Sequence, residues 1–157
     1  MKLSYFYLLF FVLFAFSCTK NKIYKETYTF ENYTWPKDKI LTFETEIDTN
    51  QAGKAYDLNF SIRYITGFSL KYLNFNLEIQ RPDESSASKD ISIQMVTDDK
   101  KYRGEGMGDI WDLDYTLAEP FIFDKPGKYK FIIRPIIDET PIYFINKITL
   151  SVLTAKK

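Results

Sequence analysis

Apolar and polar residues alternate along most of the chain. The clearest run is Ala55–Ile65, with Tyr56, Leu58, Phe60, Ile62 and Tyr64 on one face and Asp57, Asn59, Ser61 and Arg63 on the other. A period of two over this length describes a strand with one face in a core and one in water. The same rhythm sets Leu41, Phe43 and Ile47 against Thr42, Glu44 and Glu46 within Lys39–Ile47. Within Leu70–Gln80 it sets Leu73, Phe75, Leu77 and Ile79 against Asn74, Asn76, Glu78 and Gln80. It continues through Asp90–Thr97, a short Pro120–Asp124, Lys128–Arg134 and a closing Tyr143–Leu153, in which Ile148, Leu150 and Val152 face inward. Tyr28–Trp35 is a short aromatic segment ended by Pro36. No window carries a sustained, capped 3.6-residue period. Seven to eight short strands joined by turns predict an all-β fold, an antiparallel two-sheet β-sandwich. A jelly-roll-like strand order is compatible with the spacing.

The breaks between these runs have turn chemistry. Asp48–Gly53 and Lys125-Pro126-Gly127 read as turns, the second with Pro preset for the first corner and Gly free to take positive φ. Arg81–Ser88 reads as a polar loop too soluble to pack.

The N-terminus departs from this pattern. Lys2 precedes an uncharged apolar run from Leu3 to Phe16, and Lys20 and Lys22 follow it. The run is about 14 residues, short of the roughly 20 that span a bilayer as a helix, and its layout is that of a secretory signal. Phe14-Ala15-Phe16-Ser17-Cys18 resembles a bacterial lipobox, and Cys18 is the single cysteine of the chain. The expected organisation is a lipoprotein signal peptide over residues 1–17, a lipidated tether over residues 18–27 beginning at Cys18, and a β-sandwich domain over residues 28–157. Acyl chains such as palmitate on Cys18 would hold the protein to a membrane, since two or more chains are needed for stable attachment.

Composition narrows the function classes. Lys and Arg number 21 and so do Asp and Glu, which is no footprint for nucleic acid. There is no histidine, which removes the commonest general base, the usual hydrolase triad and imidazole metal ligands. One cysteine permits no internal disulfide. The 12 Tyr and 14 Phe suit pleated, half-buried surfaces. Glu44 and Glu46 are spaced like a glycosidase pair but lie on a wet strand face, where a solvated reading prevails; the same holds for Asp109 with Asp112. Nothing points to a catalytic group, a cofactor, a bound metal or a small-molecule substrate.

The most informative internal stretch is Tyr102–Asp114, which places Gly104, Gly106 and Gly108 just before Asp109, Trp111 and Asp112. A dinucleotide loop needs G-x-G-x-x-G between a strand and a helix, and this spacing fails it. Asp109, Asp112 and Asp114 could offer oxygens to calcium, but without EF-hand spacing. The structural reading is a glycine bend or bulge, with Trp111 plugging one end of the sandwich; Gly106→Val would then destabilise the domain if that position needs positive φ. The alternative is an exposed recognition loop for a partner protein or a glycan.

This block, Gly104-x-Gly106-x-Gly108-Asp109-Ile110-Trp111-Asp112, is followed by Phe123 and Pro126-Gly127-x-Tyr129-x-Phe131. Together with Cys18, Trp35, Asp48, Ile62-Arg63 and Asn74, it resembles the GldH family of gliding-motility lipoproteins of the Bacteroidota. Lys101-Tyr102-Arg103 and Pro141–Ile145 depart from that pattern. The resemblance implies an envelope lipoprotein needed for movement over surfaces. Thr19 after the cysteine points to the outer membrane rather than inner-membrane retention, and the absence of acids in Thr19-Lys20-Asn21-Lys22 points to a domain facing the periplasm. Two roles follow: a non-catalytic subunit that binds other envelope proteins, or a glycan-binding module. Trp111, Trp35 or Tyr72 lying flat and open in a line would favour glycan; buried tryptophans beside a broad apolar patch would favour a protein.

Overall fold

The computed structural model describes residues 22–117, 119–137 and 141–155. The expected signal peptide and Cys18 lie outside the described residues. Eight strands of seven or more residues carry the architecture: β1 (Lys22–Thr29), β3 (Leu41–Ile47), β4 (Ala55–Ile65), β5 (Tyr72–Gln80), β6 (Ser86–Gln94), β8 (Ile110–Thr116), β10 (Gly127–Pro135) and β12 (Ile145–Thr154). Four short strands, β2 (Thr34–Trp35), β7 (Glu105–Met107), β9 (Phe121–Ile122) and β11 (Ile142–Tyr143), trim the edges and ends.

Every pairing is antiparallel. One sheet runs β1-β12-β4-β8-β7, with β9 also on β4; the other runs β3-β10-β5-β6; β2 and β11 form a separate small ribbon. Among the eight long strands, first pairs with last, second with seventh, third with sixth and fourth with fifth. That nesting is one long antiparallel hairpin rolled into two layers, the jelly-roll arrangement.

The alternation explains the packing. Leu58, Phe60 and Ile62 on β4 and Leu150 and Val152 on β12 face Phe43, Phe75, Phe131 and Ile133 of the second sheet, and all are buried. Phe60 meets Phe75 edge-on at 5.3 Å between ring centres, and Phe123 meets Tyr129 at 4.8 Å, which ties the layers at mid-sheet and at one end. Burying one such aromatic contributes about 2–3 kcal/mol.

Three expectations are corrected. Residues 22–27 of the expected tether belong to β1, which pairs with β12 from Lys22↔Leu153 to Thr29↔Lys147. Tyr24 and Tyr28 pack on the core and outweigh the polar residues between them. The serines at the end of the expected polar loop, Ser86 and Ser88, open β6, because the backbone of Leu77–Gln80 offers a template even where the side chains remain exposed. The closing strand is interrupted at Phe144, whose φ of +64° separates β11 from β12.

The rolled hairpin gives the sandwich two distinct ends. Both described chain ends, Lys22 and the last residues of β12, lie at one end with the β3–β4, β5–β6 and β8–β10 connections. The opposite end carries the connections β1–β3, β4–β5, β6–β8 and β10–β12.

Candidate functional site

The glycine-rich block folds as a tight hairpin at the edge of the larger sheet rather than as a bend within one strand. Glu105 pairs with Asp112, Gly106 with Trp111 and Met107 with Ile110, leaving Gly108 and Asp109 as a two-residue turn. Gly108 has φ +62° and Asp109 is not in the left-handed region, as in a type II′ turn with Gly at its first central position. The turn is pinned to the neighbouring loop: the Asp109 carbonyl accepts from the Thr66 N–H at 2.9 Å.

The other two glycines serve different purposes. Gly104 has φ +99°, and a Cβ there would stand 2.2 Å from the Asp112 carbonyl oxygen, so the chain passes against the β8 backbone only as glycine. Gly106 does not take a positive φ; a Cβ there would lie 2.7 Å from the Trp111 ring. The need for glycine at this position comes from an indole laid across the missing side chain, not from left-handed backbone.

Trp111 is half-buried on the inner face at the open margin of the sheet, tilted against Tyr102 at 5.2 Å. Tyr102 meets Tyr64 edge-on at 5.9 Å and accepts from the Gly67 N–H at 2.9 Å. The Tyr64 hydroxyl donates to the Arg103 carbonyl at 2.5 Å, and burial pushes its pKa up to about 12. Thr66 carries no signal in the sequence, because its contribution depends on register between β4 and the β6–β7 connection.

On the outer face Asp112 pairs with Arg63. Nε reaches Oδ1 and Nη2 reaches Oδ2, both at 2.7 Å. The Arg63 hydrogen bonds hold the Asp112 carboxyl below the usual carboxylate range. The pair borders a shallow polar depression of about 420 Å³ that also takes in Asp114, Lys147, Lys25 and Thr149. Among the described residues no group of three or more His, Cys, Asp or Glu is arranged to hold a metal ion. The other carboxylate pair is equally plain. Lys128 holds the Glu44 carboxyl below its ordinary value, the opposite of the raised acid that glycoside cleavage needs.

The structure therefore brings Gly104, Gly106, Gly108, Asp109, Trp111 and Asp112 into one hairpin, while Trp35 is elsewhere. Trp35 is 0% exposed, stacks on Phe30 at 5.2 Å and donates its Nε1 hydrogen to the Lys39 carbonyl at 2.8 Å. Trp35 therefore cannot belong to an open aromatic line, while Trp111 is half-buried and Tyr72 is exposed.

Comparison with known proteins bears on the same residues. The chain is 29% identical over 131 residues to a gliding motility lipoprotein GldH homolog of Christiangramia forsetii, covering 83% of this chain and 78% of that one. Among solved structures it is similar to the infectious bursal disease virus VP2 subviral particle, at 11% identity and a TM-score of 0.41, over 85% of this chain and 33% of that one. The infectious bursal disease virus Gx strain structure matches at 12% identity and a TM-score of 0.30, over 86% of this chain and 31% of that one. The chain thus spans about a third of the length of these viral chains. The GldH lipoprotein family profile matches residues 22–152, which take in the glycine-rich hairpin, Trp35 and all but the last two residues of β12. The chain belongs to the GldH lipoprotein family.

Proposed function

We propose that this protein is a lipid-anchored envelope lipoprotein acting as a non-catalytic accessory component of gliding motility, and that it works by binding other envelope proteins. The observation that carries the reading is the family match along the whole strand domain, residues 22–152. The lipobox ending in Cys18 supports an acylated N-terminus after removal of residues 1–17. Thr19 in place of a retention aspartate supports the outer membrane, and the acid-free Thr19–Lys22 segment supports a domain facing the periplasm. The non-catalytic part is supported by the partners of the acids: Asp112, Glu44, Glu78, Asp83 and Asp124 are each engaged by a neighbouring side chain of the fold, through Arg63, Lys128, Arg134, Lys125 and Tyr129.

The test replaces the native gene with Cys18→Ala and follows fractionation and surface spreading. Wild type is expected in the outer-membrane fraction, protected from proteinase in intact cells. Cys18→Ala is expected to leave that fraction and to abolish spreading. Unchanged fractionation of Cys18→Ala would overturn the anchor, and normal spreading of a strain lacking the gene would overturn the motility role.

A further inference from the structure

The described surface has a polarity that neither the family nor the glycine-rich block announces. Among the described residues, every large apolar side chain more than about a third exposed, except Ile122, lies at the end of the sandwich opposite Lys22. Met107 at the hairpin tip is 81% exposed and pairs with the exposed Ile110. Ile110 pairs in turn with Ile65, whose N–H donates to the Phe144 carbonyl at 2.9 Å. Phe144 is 43% exposed, with its ring lying where a Gly67 Cβ would come within 3.2 Å of it. Tyr143 beside it is exposed and pairs with Thr34, next to the exposed Tyr33. Phe144 and Tyr33 both hold positive φ, +64° and +53°, a conformation that bulky residues avoid. Exposed apolar side chains gathered at one end of a domain are the mark of a protein interface.

Where the chain enters decides what can cover this end. β1 begins at Lys22 at the opposite end, and four residues from Cys18 reach at most about 14 Å. The eleven residues of β4 separate the two ends by about 35 Å. A lipid on Cys18 therefore holds the Lys22 end near the membrane and the apolar end away from it. The anchoring leaflet cannot cover Met107 and Phe144 in that arrangement. Two copies anchored side by side also cannot bring these ends face to face, and in the lipidated reading residues 1–17 are removed before Cys18.

We infer that the Met107–Ile110–Phe144–Tyr143 end is the docking surface for a different protein, one that presents a charge-poor apolar surface from the compartment side away from the anchoring membrane. This rests on the lipid-anchored reading above and adds to it the surface and the direction of approach.

The experiment places a photo-crosslinking benzoylphenylalanine at Met107 or Phe144, and as control at Glu84 in the β5–β6 turn, in cells making the full lipoprotein. Both apolar-end positions are expected to yield the same discrete heteromeric adduct, identified by mass spectrometry. The adduct should be absent from position 84 and fall at least tenfold when Ile110→Asp is added. Ile110→Asp and Met107→Asp should leave the melting temperature and membrane fractionation unchanged while reducing surface spreading. An adduct of twice the protein's own mass, an adduct to lipid alone, equal labelling from position 84 or no adduct would each overturn the docking surface. Because Cys18→Ala reads the anchor and motility role separately, a docking failure with those phenotypes intact would leave the family-based reading standing.

Discussion

The indole of Trp111 occupies the space that a side chain on Gly106 would need, with Cζ3 only 2.7 Å from the position of a Cβ. The two residues face each other across β7 and β8. The glycine is thus required by its neighbour rather than by its own backbone. Such a cross-strand cover of a glycine by an aromatic is a device for pinning register at a sheet edge.

The three glycines of the block should consequently differ when each is changed to alanine. Gly104→Ala meets both positive φ and the Asp112 backbone, which cannot yield, and should cost about 3 kcal/mol. Gly106→Ala must displace only the edge of a ring, costing about 1–2 kcal/mol. Gly108→Ala has open space and bears only the left-handed penalty, about 1 kcal/mol. Urea unfolding of the three variants checks this order. Trp111→Ala in the Gly106→Ala background should remove most of the Gly106→Ala cost, because the clash is then gone.

Arg63 and Asp112 predict a pH response. The folded carboxyl titrates below its unfolded value because Arg63 donates two hydrogen bonds to it. The stabilisation is therefore fully present above the ordinary Asp range near pH 4 and is lost as pH falls through the lower folded value. Both side chains are partly in water, so Asp112→Asn should cost only about 0.5–1 kcal/mol at pH 7. The cost should shrink as pH falls below the ordinary Asp range, where wild type progressively loses the charge as well. Urea midpoints of both proteins between pH 7 and pH 2.5 measure the convergence.

Trp35 gives a larger effect away from the hairpin. Trp35→Ala empties a fully buried site stacked on Phe30 and should cost about 3–5 kcal/mol. Trp35→Phe retains most of the packing but leaves the Lys39 carbonyl without its indole donor, for about 1–2 kcal/mol. Thermal denaturation followed by far-ultraviolet circular dichroism distinguishes the two.

Much of the fold is legible in the alternation itself. The five inward residues of β4, from Tyr56 to Tyr64, are all buried, and the run Ala55–Ile65 matches the strand from end to end. Legibility fails where a neighbour's backbone dominates. Ser86 and Ser88 look like loop residues, yet extend β6 because Glu78 and Gln80 offer hydrogen bonds. Lys22–Thr27 looks like a tether, yet β12 needs an edge partner. Thr149 and Ser151 sit between the inward residues Ile148, Leu150 and Val152, yet are buried themselves, on a strand flanked by β1 and β4. In the glycine block, sequence spacing marks a special backbone but cannot say whether torsion or a neighbour demands it. At Gly108 the demand is torsion, at Gly106 it is Trp111, and at Gly104 it is torsion together with Asp112.

By itself the sequence determined that this is an all-β chain, which residues face its core, and which stretch is unusual. All of these follow from local periodicity, which is written one residue after another. Only the tertiary structure decided the nesting of first strand with last and the Trp111–Gly106 contact. It alone placed Met107 and Phe144 together at the end farthest from Lys22. These depend on pairings between residues tens of positions apart, which take definite form only when the rolled hairpin brings distant backbones into register.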